Sequence, residues 1–188
     1  MTVNGLKQGI IIESREQDKP LLLFLHGGPG FPVYPFIKSH KVELETYFNV
    51  CYWDQRGTGM SYTDEKITLN QLMDDTIEVA QQLLKKFNRD KLFLLGHSWG
   101  SILGALVAKK APQLFYAYVG IGQIGSAKES EREIHHFIKQ KATGKDAQKI
   151  AKIAFHDEKI RPMVRLNLSM PINLAVVSNE KVTLLCKA

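Results

Sequence analysis

The stretch KLFLLGHSWGS, Lys91–Ser101, predicts a strand that turns directly into a helix. Residues 92–95 are all apolar, as in a buried strand, and residues 102–111 form a helix-like run behind them. Ser98 stands between the two, with a glycine two residues to either side. In so sharp a turn the serine takes a strained backbone, and only glycine leaves room for strand and helix to pass closely. We therefore expect the Ser98 hydroxyl at the carboxyl end of a sheet, beside a helix N-terminus.

Further apolar runs of strand length are separated mostly by helix-length segments. They lie at 21–25, 50–53 and 116–121. Thr68 precedes a segment in which apolar residues recur every three or four positions as far as Phe87, which predicts a capped amphipathic helix. This alternation predicts an α/β fold, with a mostly parallel sheet covered by helices on both faces. We expect the strand at 92–96 to lie between the strands at 50–53 and 116–121.

The patterns divide the chain into two parts. Residues 1–125 have the strand-and-helix alternation of a core, and residues 126–188 differ from them in composition and pattern. The remaining elements predicted are helices over 35–48, 126–141 and 145–155, and strands over 9–14, 174–177 and 182–185. We find no internal repeat and no low-complexity segment.

The predicted position of Ser98 suits nucleophilic catalysis. A serine hydroxyl attacks a carbonyl only when a base takes its proton, and the oxyanion that forms needs preorganised hydrogen-bond donors. The backbone N–H of Trp99, at the start of the helix, is one candidate donor. A second comes from the glycine-rich turn after the strand at 21–25, for which Gly28 is our first choice and Gly27 the second.

The chain carries three glycine-containing motifs: HGGPG at 26–30, DQRGTGMS at 54–61 and GHSWGS at 96–101. Together, in this order and spacing, they resemble the α/β-hydrolase family, and in particular its proline iminopeptidase branch. The resemblance covers roughly residues 5–125. It implies an α/β-hydrolase fold, with Ser98 as the nucleophile and an oxyanion hole formed by Gly28 and Trp99.

The same resemblance has implications outside the nucleophile turn. It implies that Asp54 and Arg56 hold loops near the site, and that a helical cap follows the strand ending near Gly122. Residues 126–155 resemble the opening of that cap. In such peptidases the cap carries acidic residues that receive the substrate's free amino terminus. Acidic residues in the corresponding region match no motif, and an exposed helix face accounts for them; they are Glu129, Glu131 and Glu133.

The chain departs from the family in its catalytic partners. The family order is Ser, then Asp, then His, with both partners on loops after late strands beyond the cap. The six histidines are His26, His40, His97, His135, His136 and His156. None follows a predicted strand beyond Ser98, and Asp146 is too close to His156 on one helical stretch to sit on a separate strand end. We predict that these residues cannot complete a triad, and that the unfinished sheet leaves an edge strand and part of the core uncovered.

Composition sets broad limits on the partners. The apolar share is 44%, which is ordinary for a globular protein, and no apolar run approaches the ~20 residues of a membrane span. The formal net charge is +6, of which +1 falls in residues 1–125 and +5 in residues 126–188. Because the basic surplus follows helical spacing, it indicates a solvated helix face rather than a nucleic-acid site.

Other features argue against cofactors and disulfides. No cysteine or histidine pair has metal-ligand spacing, and Gly57-Thr58-Gly59 lacks the rest of a phosphate-binding fingerprint, so we expect no cofactor. Cys51 and Cys186 are typical of reduced thiols. The polar amino terminus lacks a signal-peptide core, which predicts a cytoplasmic location. The oligomeric state is left open.

Three functions are compatible with these patterns. The first is a serine hydrolase of the aminopeptidase type, which removes an N-terminal residue, such as proline, from short peptides through an acyl-enzyme on Ser98. The second is an esterase, lactonase or amidase of the same fold, because fold does not determine substrate. The third is a catalytically incomplete fragment. In that case, if the gene continues past Ala188, we expect the continuation to supply an Asp and then a His, each after a short apolar strand.

Overall fold

A computed structural model describes residues 1–141, 174–178 and 182–185. The chain divides into two compact units, the first formed by Met1–Gln123 with Asn173–Ala188 and the second by Ile124–Ile172. The first unit contains the sheet and the Ser98 turn. In the second unit the structure describes one helix, and the helix predicted at 145–155 lies outside the described residues.

The described residues form nine strands and four helices. The strands are β1 (Thr2–Val3), β2 (Leu6–Lys7), β3 (Ile10–Glu13), β4 (Leu21–Leu25), β5 (Asn49–Trp53), β6 (Leu92–His97), β7 (Phe115–Ile121), β8 (Leu174–Ser178) and β9 (Val182–Leu185). The helices are α1 (Tyr34–Ser39), α2 (Leu69–Phe87), α3 (Trp99–Lys110) and α4 (Ala127–Lys141).

Seven strands form one sheet in the order β3-β5-β4-β6-β7-β8-β9. The pairs β4–β5, β4–β6 and β6–β7 are parallel, which confirms the predicted parallel core. The expected neighbours of β6 were partly wrong. β6 lies between β4 and β7, and β5 lies on the far side of β4. Antiparallel β3 flanks β5, and β1 pairs with β2 in a separate two-stranded sheet.

Both faces of the central strands are covered. All five residues of β4 are buried, and alternate ones contribute to two different cores. Leu21, Leu23 and Leu25 belong to the core that includes residues of α2 and α3. Leu22 and Phe24 belong to the core on the side of α1. A strand covered on both faces has no polar positions, and this explains why β4 is a continuous apolar run.

The helix α2 ends where its sequence signals place the ends. The Thr68 hydroxyl accepts a hydrogen bond of 3.2 Å from the Gln71 N–H, and so satisfies one of the free donors at the helix N-terminus. Asn88 takes a left-handed conformation (φ 51°) and ends the helix. Its bounds therefore confirm the prediction.

The helix predicted over 35–48 is divided. Residues 34–39 form α1, and residues 44–46 form only a 3₁₀ turn. Between them Lys41 takes a left-handed conformation (φ 52°), which an α-helix does not accommodate. The hairpin of β1 and β2 was not predicted, because its strands have only two residues each and leave no periodic pattern.

The strands at the end of the chain add to the sheet. β8 pairs antiparallel with β7, and β9 pairs antiparallel with β8. Among the described strands, β9 rather than β7 is therefore the edge strand at this end of the sheet. In the ranges that the structure describes, no helix is long and apolar enough to cross a membrane.

Candidate active site

Ser98 lies at the turn between the end of β6 and the first residue of α3. Its backbone has φ 52° and ψ −119°, a conformation that an L-residue with a side chain adopts rarely and at a cost. Two backbone hydrogen bonds hold it there. The Ser98 N–H donates to the Ile121 carbonyl at 2.9 Å, and the Ser98 carbonyl accepts from the Ser101 N–H at 2.9 Å. Ser98 is half-buried, as expected for a reactive group at the carboxyl end of a central strand.

The turn requires glycine at positions 96 and 100, because neighbouring backbone atoms lie where a side chain at either position would be. A Cβ atom on Gly96 would lie 2.3 Å from the Gly100 carbonyl oxygen. A Cβ atom on Gly100 would lie 2.2 Å from the carbonyl oxygen of Leu25, at the end of β4. Both distances are far below van der Waals contact. The G-x-S-x-G pattern therefore reflects close approach of α3 to β6 and β4.

The HGGPG turn lies directly against Ser98. A Cβ atom placed on Gly27 would be 3.0 Å from the Ser98 Cβ and 3.3 Å from Nδ1 of His97. Gly28 has a positive φ of 113°, and the nearest atoms to its missing Cβ belong to Gly30 and Phe31 of the same turn. The structure thus brings Gly27 into contact with Ser98, with Gly28 as the next residue along the turn.

Trp99 and His97 flank the nucleophile position. As the first residue of α3, Trp99 has a backbone N–H without an acceptor inside the helix, and such groups are free to bind an anion. Its indole packs against the core, and Nε1 is buried without a hydrogen-bond partner among the described residues. His97 is exposed on the side of Gly27, although part of its ring is shielded from water. That partial burial lowers the pKa of His97 below the ordinary value.

His26 is buried and connects two loops. The Gln55 backbone N–H donates to Nε2 of His26 at 3.1 Å, and the Gln55 side-chain amide donates to the His26 carbonyl at 3.0 Å. Nδ1 lies 2.9 Å from the Gly27 carbonyl oxygen. Burial lowers the pKa of His26, although the Gly27 hydrogen bond and the charge of Asp54 act in the opposite direction. Both ring nitrogens are occupied, so His26 cannot serve as the base for Ser98.

Arg56 anchors the DQRG loop to the rest of the core. Its Nε and Nη2 donate to the two carboxylate oxygens of Asp75 on α2, at 2.7 and 3.1 Å. Both side chains are almost fully buried. Asn4 and Gln8 donate to the same carboxylate at 2.8 and 2.9 Å, so that the loop, α2 and the amino-terminal segment meet at one ion pair.

Asp54 shapes the other half of the same loop. Its Oδ2 accepts the Met60 N–H at 2.9 Å, and its carbonyl accepts the Ser61 hydroxyl at 2.5 Å. The Ser61 oxygen accepts the Gly9 N–H at 2.9 Å in turn. The contacts of Asp54 and Arg56 are therefore those of residues that hold loops, in agreement with the role that the resemblance implies for them.

No described residue of the first unit supplies a base to Ser98. Every hydrogen bond of Ser98 found among the described residues is made by its backbone. His40 ends α1 at an exposed position and contacts Ser39 and Phe36. His135 and His136 belong to α4 in the second unit, and His156 lies outside the described residues. Within the described ranges, no group of three or more potential ligands is arranged to hold a metal ion.

Glu129 and Glu133 are exposed on α4, where Arg132 forms ion pairs with both. A solvated helix face was predicted for these residues, and the contacts of this pair agree with it. The side chain of Glu131 is outside what the structure describes.

A comparison with protein families identifies the class of protein. The family model described as "alpha/beta hydrolase fold" matches residues 20–170, which is most of the chain. The chain therefore belongs to the α/β-hydrolase fold family, as its motifs and its parallel sheet predict.

Curated relatives include proteins named as an aminopeptidase and as proline iminopeptidases. The chain is 42% identical over 151 residues to the probable aminopeptidase YbaC of Bacillus subtilis (strain 168), covering 78% of this chain and 48% of that protein. It is 33% identical over 121 residues to a proline iminopeptidase of Saccharolobus solfataricus, covering 63% of this chain and 38% of that protein. The chain thus spans about half the length of the curated relatives it matches, or less.

Solved structures agree with the fold. A proline iminopeptidase-related protein of Thermus thermophilus is 28% identical, with a TM-score of 0.51, over 60% of this chain and 40% of that chain. An epoxide hydrolase of Vigna radiata is 26% identical, with a TM-score of 0.53, over 63% of this chain and 37% of that chain. The same core therefore occurs in proteins with different activities in their names.

Proposed function

We propose that the chain carries the nucleophile half of a serine hydrolase site, with Ser98 as the attacking group. The observation that carries this proposal is the strained backbone of Ser98 at the β6–α3 turn, with Gly27 in van der Waals contact. Such strain persists only where the surrounding structure enforces it, and it is concentrated at functional sites. The close contacts of Gly96 and Gly100 supply that enforcement here.

The proposed chemistry is acyl transfer. Ser98 Oγ attacks the substrate carbonyl carbon while a base removes the hydroxyl proton, and the carbonyl oxygen becomes an oxyanion. The N–H groups of Trp99 and of Gly28, or alternatively Gly27, stabilise that charge. The amine or alcohol leaves with a proton from the base, and water then releases the acyl group from Ser98. A preorganised donor of this kind contributes about 10²–10³-fold to the rate in well-studied cases.

The proposed substrate is a short peptide from which one N-terminal residue, such as proline, is removed. The support is the naming of two relatives as an aminopeptidase and a proline iminopeptidase. An ester, lactone or other amide is the second candidate, because solved structures with the same core include an epoxide hydrolase. In either case the substrate is small and no cofactor takes part.

The experiment compares a chromogenic proline amide with a short-chain ester. Both are offered to the wild-type chain and to Ser98→Ala. If the reading frame extends past Ala188, the longer product is assayed in the same way, with its length verified by intact mass. We expect Ser98-dependent cleavage of the proline amide to exceed ester cleavage once a base is present. A longer product without any Ser98-dependent cleavage would contradict the hydrolase proposal, and preference for the ester would favour the second candidate.

A further inference from the structure

Hydrogen bonds join the turn beside Ser98 to a loop 29 residues further along the chain. Gln55 makes two hydrogen bonds to His26, one to the ring and one to the backbone carbonyl. Both residues are about 2% exposed or less. We propose that His26 is a positioning residue, which holds the Gly27–Gly30 turn against Ser98 only while its ring is neutral, so that acid releases the turn. We call the hydrogen-bonded contact between Gln55 and His26 the latch.

The hydrogen bonds determine where the proton sits on the ring. A backbone N–H can only donate, so Nε2 of His26 must accept the bond from Gln55 and carries no proton. The proton of the neutral ring is then on Nδ1, which donates to the Gly27 carbonyl at 2.9 Å. One ring therefore satisfies a donor on the Gln55 loop and an acceptor on the turn, which requires this single tautomer.

Protonation removes that complementarity. In the charged ring both nitrogens are donors, so Nε2–H would face the Gln55 N–H, donor against donor. His26 is 1% exposed, so water cannot replace the lost partner without movement of one loop. The Gln55 loop is held by the Arg56–Asp75 ion pair, whereas the Gly27–Gly30 turn contains two glycines with positive φ. We therefore expect the turn to move.

The charged groups around the His26 ring do not prevent release of the turn by acid. Asp54, which follows β5, favours the charged ring, but its carboxylate is engaged with the Met60 N–H. His97, at the end of β6, lies on the other side of Gly27 and adds positive charge when it titrates. Gly100 of α3 approaches the His26 carbonyl and is uncharged. Burial has the largest effect, and it disfavours the charged ring.

The direction of the pH effect follows from the lowered pKa of His26. When the pH falls below 6.5, the ordinary pKa of histidine, His26 takes up a proton in the unfolded or released state but not in the latched state. The latch is therefore complete above that pH and is lost as the pH falls towards the lower pKa of the folded protein. Each unit of lowering corresponds to about a tenfold change in the latch equilibrium.

The test is an NMR titration of the full 188-residue chain between about pH 7.5 and about pH 5. Ring ¹⁵N shifts report the tautomer of His26, and hydrogen exchange, corrected for intrinsic rates, reports protection of the Gln55 amide. We expect an unprotonated Nε2 at the higher pH. Protection of the Gln55 amide should fall about tenfold or more as His26 titrates.

Variants separate the latch from general packing. In His26→Gln the side-chain carbonyl can accept the Gln55 N–H without titrating, so protection should become independent of pH. His40→Gln is the control for an exposed histidine, and His97→Gln tests the other histidine near Gly27. In both variants the Gln55 amide should lose protection over the same pH range as in the wild type. If His26→Gln does not fold, the wild-type titration and the two controls decide the question.

Three results would overturn the proposal: a proton on Nε2 at neutral pH, Gln55 protection that does not change while His26 titrates, or loss of the transition in His97→Gln. None of these measurements involves turnover. The importance of the turn for catalysis rests on the proposed function, but the latch itself can fail or stand independently of it.

Discussion

At the scale of single residues, the absent side chains of the Ser98 turn are as important as those present. A methyl group at Gly100 would lie 2.2 Å from the Leu25 carbonyl and 2.7 Å from that of His26, both backbone atoms that cannot rotate away. We expect Gly100→Ala to lower the free energy of unfolding by about 2–3 kcal/mol, as for an overpacked core.

Equilibrium unfolding in urea measures this change. The matched control is Gly125→Ala, since a Cβ atom there meets nothing within 4 Å. Equal stability of the two variants would mean that α3 does not approach β4 as closely as described. It would also remove the physical reason for the second glycine of the motif.

The sequence located Ser98 and its turn because the signal is local. A strand, a glycine-flanked serine and a helix follow one another within about 20 residues, and each is readable from its own pattern. It did not resolve Gly27 from Gly28, because the choice depends on how the turn lies in space. It missed Gln55 altogether, since contact with His26 joins two loops 29 residues apart and leaves no periodic trace. The DQRG motif was the available signal, and it identified the loop without the contact.

At the scale of secondary-structure elements, adjacent aspartates on α2 provide a controlled comparison. Asp75 is fully buried and binds Arg56, whereas Asp74 is 57% exposed and pairs with Lys110 at the surface. We expect Asp75→Ala to destabilise the protein by about 3–5 kcal/mol, because it leaves the buried Arg56 charge without its carboxylate. Asp74→Ala should change stability by about 0–1 kcal/mol.

Thermal or urea unfolding of both variants at one pH checks the difference. Two aspartates in successive positions share the helix, the charge and the length of the side chain, so that only burial and partners differ. A loss below about 1 kcal/mol for Asp75→Ala would show that Arg56 finds another partner or solvent, and would argue against a rigid DQRG loop.

Elements with strong local signals were predicted, and elements defined by pairing were not. α2 has a capping threonine, a helical period of apolar residues and a left-handed asparagine, all within its own sequence. β4 was recognisable as an apolar run because both of its faces are buried. By contrast, β1 and β2 exist only as partners of each other. The break after α1 depends on a left-handed Lys41, which no residue preference indicates.

At the scale of the whole molecule, the order of strands was beyond local patterns. Apolar runs specify which segments enter the sheet, but many orders satisfy the same hydrophobic pattern. The exchange of β4 and β5 in the expected order is such an error. The antiparallel pairing of β8 with β7 is a similar case, because β8 and β9 were predicted only as two short strands about a turn.

The whole chain is also the scale at which turnover must be judged, and we expect the 188-residue protein to show little or none. In the Ser-His-Asp mechanism, histidine takes the serine proton and returns it to the leaving group, and a carboxylate orients the ring. Among the described residues of the first unit, His26 is committed to Gln55 and Gly27, and His40 caps α1. His97 adjoins Ser98 in the chain, and its ring lies beside Gly27 without a hydrogen bond to Ser98.

Without a base, the oxyanion donors and substrate binding alone leave about 10³–10⁴-fold acceleration over water, far below a working peptidase. Purified protein of verified mass should therefore give no difference between wild type and Ser98→Ala with a chromogenic proline amide or a simple ester. A robust rate that Ser98→Ala abolishes would contradict this expectation. It would direct attention to His135, His136 and His156, whose replacement by glutamine one at a time would then identify the base.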